Sequence, residues 1–168
     1  PKGLKWEDIP GHFLLLHEAD SCIAMPQASF FYRTEYGKSI TSGKGKSRLD
    51  IVPIFHMLLD IQEKYDFNNI ERSYCIELMV RFSKWFIEET NDKYICQLLE
   101  GLHEVFGRLS DSDVSYYLDN RCDIINREKT RGFITCLKSD KYYELQDYEN
   151  RDKVTYSFSR HGAENKRR

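Results

Sequence analysis

Between Asp50 and Ile125 the apolar residues recur at intervals of three and four, the spacing that gathers side chains onto one face of an α-helix. No other feature constrains the fold as strongly. Ile51, Ile54, Phe55, Leu58, Ile61 and Tyr65 form the first stripe. Asp50 is placed to cap this helix, and Pro53 falls in the opening turn, where a missing N–H does no harm. After a break at Asn68-Asn69, a second helix is expected from about Glu71 to Glu89, with Cys75, Leu78, Met79, Phe82, Trp85 and Phe86 inward. Thr90 to Asp92 reads as a turn. A third helix, about Lys93 to Leu109, turns Ile95, Leu98, Leu99, Leu102, Val105 and Phe106 inward, although Gly101 and Gly107 weaken it. Ser110 to Asp113 supply capping oxygens. Val114, Tyr117, Leu118, Ile124 and Ile125 then read as a fourth helix ending before Gly132, or as two shorter ones divided near Asn120.

Toward both ends the period changes from helical to alternating. In Phe133–Lys138 and in Lys153–Ser159, where Val154, Tyr156 and Phe158 alternate with polar residues, we expect strands, with Lys141–Gln146 as a third. Phe13–Leu16, Cys22–Met25 and Ser29–Arg33 are candidate strands near the start. An isolated hairpin is marginal in water, so the terminal segments are expected to join in one small sheet packed on the helices. The resulting expectation is an α+β fold: a central bundle of about four helices with a small antiparallel sheet, in a single domain over 1–160 and a basic tail over 161–168.

Hydrophobic residues make up 40 % of the 168, which is enough for one core, and the eleven Tyr and ten Phe exclude a disordered chain. The five cysteines, Cys22, Cys75, Cys96, Cys122 and Cys136, match no disulfide framework or zinc-ligand spacing, so free thiols in a reducing compartment are expected. No Asn-x-Ser/Thr site occurs, and no apolar run is long enough for a membrane helix. These features point to an intracellular protein, cytoplasmic or nuclear, with no membrane partner. Pro1 in first place reads as an excerpt of a longer chain whose function belongs to the parent.

The net charge is only −2, but the charges are segregated. Residues 37–48 hold Lys38, Lys44, Lys46 and Arg48 without an acid, residues 49–126 hold fifteen acids against seven bases, and residues 151–168 hold six bases against two acids. The first segment lies between a candidate strand and a helix, so it must be tested as a phosphate-binding loop. Such a loop needs Gly, four residues, then Gly-Lys-Ser/Thr. For Gly45-Lys46-Ser47 the opening position is Ile40, and for Gly43-Lys44 the spacing is one too long and Gly45 stands where a hydroxyl is needed. Both registers fail.

Catalytic motifs are missing as well. Neither His17-Glu18 nor His103-Glu104 is followed by a second histidine at the zinc-protease spacing, and no Gly-x-Ser-x-Gly elbow occurs. His56 and Asp60 would be neighbours on a helix, which is usually a surface contact. No catalytic residue, metal ligand or cofactor is assigned.

Two binding functions remain as expectations. The first is a non-enzymatic protein-interaction module within a larger assembly, with Trp6, Tyr116 and Tyr143 as partner-binding aromatics. The Trp85 cluster is read instead as core. The second is a nucleic-acid-binding module that places Lys38, Lys44, Lys46, Arg48, Arg160, Lys166, Arg167 and Arg168 on phosphates, although a pI near 6.3 argues against a dedicated binder.

Overall fold

The computed structural model describes residues 4–23 and 45–146, and their regular structure is all helical, with no strand among them. We number the helices α1 (Asp8–Glu18), α2 (Ile51–Lys64), α3 (Asn69–Glu89), α4 (Asp92–Gly107), α5 (Asp111–Asn120) and α6 (Arg127–Lys138). Two 3-10 turns complete the described order, Lys46–Asp50 before α2 and Tyr142–Gln146 after α6.

The expected sheet is therefore corrected, and the fold is a helical bundle rather than α+β. Phe13–Leu16 lies inside α1, Phe133–Lys138 forms the second half of α6, and Lys141–Gln146 is a turn followed by the second 3-10 segment. Six residues are too few to separate a period of two from one of 3.6. In α6 the buried Thr130, Phe133, Ile134 and Leu137 follow the helical interval, which becomes visible once the window is carried back across Gly132. Cys22 and Ile23 have no regular structure, whereas Ala24–Met25, Ser29–Arg33 and Lys153–Ser159 lie outside the described residues.

The central helices start where local chemistry starts them. Asn68 caps α3 with a reciprocal pair of contacts. Its side-chain oxygen accepts from the Ile70 and Glu71 amides, and Glu71 Oε2 accepts from the Asn68 amide at 2.8 Å. Asn91 accepts from the Lys93 amide to open α4, and the Ser110 hydroxyl accepts from the Asp113 amide to open α5. Asp50 behaves differently from expectation. It ends the 3-10 turn and its side chain makes no cap bond to α2, and its carboxylate instead accepts from the Lys5 amide at 3.3 Å, tying Lys5 to the start of α2.

All six inward residues expected on α4 are buried, and this helix lies at the centre, against α2, α3, α6 and both 3-10 turns. On α3, Cys75, Met79 and Phe86 are buried with Ile76, Val80 and Ile87, while Leu78, Phe82 and Trp85 are half-buried at the margin. The expected fourth helix is two, divided at 121–126. Ile124 and Ile125 fall in that division and are exposed, so the apolar stripe does not continue to them.

Gly101 is needed for the contact between α2 and α4. A β-carbon built there would stand 2.7 and 2.8 Å from the two methyl groups of Val52, which as a β-branched residue cannot swing away. Gly101→Ala should therefore destabilise the protein by about 1–2 kcal/mol despite the better helix propensity of alanine. In a Val52→Ala background the same substitution should cost at least about 1 kcal/mol less, since only the 3.2 Å β-carbon contact remains. Equal costs in the two backgrounds, measured by chemical denaturation, would show that the helices do not meet at this point.

Candidate functional site

The candidate site is built from α1 and α3. The run Phe13-Leu14-Leu15-Leu16 cannot turn every side chain inward from a helix, and α1 buries only Ile9 and Pro10. Leu15 and Leu16 are left 67 % and 60 % exposed. On α3, Ile70 and Tyr74 are 56 % and 48 % exposed, and Tyr74 shares a cavity wall with Leu16. Between the two helices an apolar cavity of about 290 Å³ is lined by Phe13, Leu16, His17, Phe67, Glu71 and Tyr74.

One end of this seam is fixed by His17. Its ring stacks on Phe67 with centroids 4.6 Å apart, meets Tyr65 edge-on, and donates from Nδ1 to Glu71 Oε1 at 2.9 Å. Because Glu71 also completes the α3 cap, the last turn of α1 is joined to the first turn of α3 through one carboxylate. A second cavity of about 320 Å³ adjoins the first, sharing Phe13 and Tyr74, and its wall adds Glu77, Leu78, Arg81, Phe82 and Arg121. Arg121 lies 3.4 Å from the Tyr74 ring centroid and donates through Nε and Nη2 to Glu77 Oε2, at 3.0 and 2.6 Å. This stacking and pairing hold Tyr74 in place at the lip of both cavities.

The residues chosen from sequence fall elsewhere. Trp6 is half-buried with φ of 71°, and its ring meets Phe82, Trp85 and Phe86 at 6.0, 5.8 and 5.4 Å. Trp6 is thus engaged within the chain, where the Trp85 cluster has the packing role expected of it. Tyr116 is half-buried on α5, and Tyr143 is exposed beside Tyr142 in the second 3-10 turn. The structure does not bring these three together. Lys38, Lys44, Arg160, Lys166, Arg167 and Arg168 lie outside the described residues, and Lys46 is exposed.

Arg48 requires a correction, because it is only 2 % exposed and cannot reach a phosphate backbone from where it sits. Its guanidinium carbon lies 4.4 Å from the Trp85 ring centroid and 4.9 Å from that of Phe86. Burial pushes its pKa down, against the opposing charge of Glu89. A sequence reading that counts charges has no means of anticipating this, since the rings come from a helix far along the chain.

His56 and His103 serve as braces. Arg108, just past the end of α4, donates to Asp60 at 2.6 Å, Glu63 at 3.2 Å and His56 Nδ1 at 3.1 Å, so the expected His56–Asp60 neighbours are linked through a third group. His103 donates from Nδ1 to the Leu137 carbonyl at 2.7 Å and stacks on Tyr142. Among the described residues no group of three His, Cys, Asp or Glu side chains is placed to hold a metal ion. No described helix is long and apolar enough to cross a membrane. Set against protein-family models, curated proteins and solved structures, the chain matches none.

Reading Phe13–Leu16 as a strand conceals the seam. Its signal was present all the same, as four successive apolar residues that a helix must divide between core and solvent.

The cysteines give a direct check of this placement. Cys75 and Cys136 are buried, and burial pushes both thiols up, Cys136 to about 12, so neither offers a thiolate near neutral pH. Cys22 and Cys96 are exposed. Brief alkylation of the native protein, followed by peptide mass analysis, should label Cys22 and Cys96 and spare Cys75 and Cys136 until denaturant is added. Equal labelling of all four without denaturant would contradict the core described above.

Proposed function

We propose that this chain is a non-enzymatic protein-interaction module that holds a segment of a partner protein in the seam between α1 and α3. The observation that supports the reading most is that Leu16 and Tyr74, both exposed, line two adjoining cavities together with the half-buried Phe13, Leu78 and Phe82. Large apolar side chains clustered on a surface lose free energy when covered, at about 25 cal/mol for each Å² removed from water. A protein segment matches the shape of the site. The cavities are at the small end of the range for small-molecule pockets, and they lie along a line rather than enclosing a volume. From Glu71 to Phe82 the α3 edge of the seam runs about 16 Å, room for about ten residues of helix or five of extended chain.

His17, His56 and His103 each make a structural contact, and the Cys75 and Cys136 thiols are buried, which supports the non-enzymatic part of the reading. The nucleic-acid alternative loses one of its eight cations with the burial of Arg48.

The test is a selection of displayed random 16-residue peptides against the folded protein. Leu16→Asp puts a charge into the apolar cavity from an exposed position, so the fold should be unchanged by circular dichroism while the selected peptides bind at least about tenfold more weakly. Glu104→Lys, on the exposed side of α4, should leave their affinity unchanged. Peptides that bind the Leu16→Asp variant as tightly as the parent protein would defeat the proposal.

A further inference from the structure

We infer that the segment held in this seam is acidic as well as apolar, with a carboxylate seated on Arg81 about 10 Å from the apolar side chain that fills the first cavity. The inference rests on the docking reading above and specifies its occupant by charge.

The charged groups along the seam are Glu71, Glu77, Arg81 and Arg121, with His17 beside them. Three of the four are already engaged. Glu71 accepts from His17 through one oxygen and from the Asn68 amide through the other, and Glu77 accepts from Arg121 through two N–H groups. Arg81 is exposed on the wall of the second cavity, and it makes no ion pair among the described residues. That cavity therefore carries a local excess of one positive charge, Arg81 and Arg121 against Glu77.

A basic occupant would meet this excess as repulsion, and a purely apolar one would cover the guanidinium and leave it without a partner. A carboxylate answers both, because guanidinium and carboxylate form charge-assisted, often paired, hydrogen bonds. The surroundings sharpen the choice of register. Residues 49–126 carry fifteen acids against seven bases, so an acidic segment is disfavoured along most of this stretch and favoured at Arg81. Tyr74, at the junction of the two cavities, and Arg81 are seven residues apart on α3, or about 10 Å. In the occupant this distance corresponds to two turns of helix or three residues of extended chain.

The test uses the peptides selected above that lose affinity with Leu16→Asp, resynthesised with their acidic residues changed one at a time to Lys. We expect these peptides to carry Asp or Glu, and one acid whose change to Lys weakens binding about fivefold or more. Arg81→Glu, an exposed substitution, should weaken the parent peptide by a similar factor and restore binding of that Lys peptide. Seam-binding peptides without acids, or peptides indifferent to Arg81→Glu, would overturn the acidic occupant and leave the docking proposal standing. Recovery of no peptide sensitive to Leu16→Asp would remove both.

Discussion

The arrangement of this molecule depends on the burial of α4. Ile95, Leu98, Leu99, Leu102, Val105 and Phe106 leave almost none of its apolar face to solvent, and each neighbour is positioned by the part of that face it covers. Helix α2 crosses where Gly101 lets Val52 approach, and α6 packs through Phe133 against Phe106. The ends are fastened by polar contacts from the same elements. Lys138 donates to the Leu109 carbonyl at 2.8 Å and to Asp111 at 2.7 Å, while Arg108 reaches back to α2. Burial supplies most of the free energy, and the polar contacts fix which residues meet.

Helix α1 stands outside this centre. It rests on α2 and is held near α3 by side chains at its two ends, Trp6 in the aromatic cluster and His17 on Phe67 and Glu71. Arg48 fills the space beneath the cluster, stacked on Trp85 and Phe86. A guanidinium stacked on rings can be buried where an ammonium could not, because it is weakly hydrated and planar. Between those ends α1 packs on α2 rather than on α3, which leaves an open seam along α3. The apolar surface proposed for docking is thus a consequence of how α1 is attached.

The core of the bundle was legible in the sequence because its information is local and repeated. Four turns of α4 carry the same interval, and Ser110 with Asp113 announces α5 directly. What failed was either short or nonlocal. Phe133–Lys138 viewed alone alternates like a strand, and Gly132, treated as a breaker, sits buried within α6. Ile124 and Ile125 continue the apolar spacing but lie beyond the last turn of α5. Arg48 looks like any other base in a cationic stretch, and only the rings of Trp85 and Phe86 make it a buried one. The candidate site was hidden for the same reason, since Phe13, Tyr74 and Arg121 are brought together by tertiary packing.

Site-resolved native-state hydrogen exchange tests most directly whether α4 is the buried axis and α1 a peripheral helix held at its ends. Amides from Ile95 to Phe106 should exchange only through global unfolding, with free energies that fall in parallel as denaturant is added. Those from Phe13 to His17 should exchange through a smaller local opening, at clearly lower free energy and with little dependence on denaturant. Equal protection of the two helices would mean that α1 is packed into the core and the seam is closed, and the structural basis for docking there would be lost.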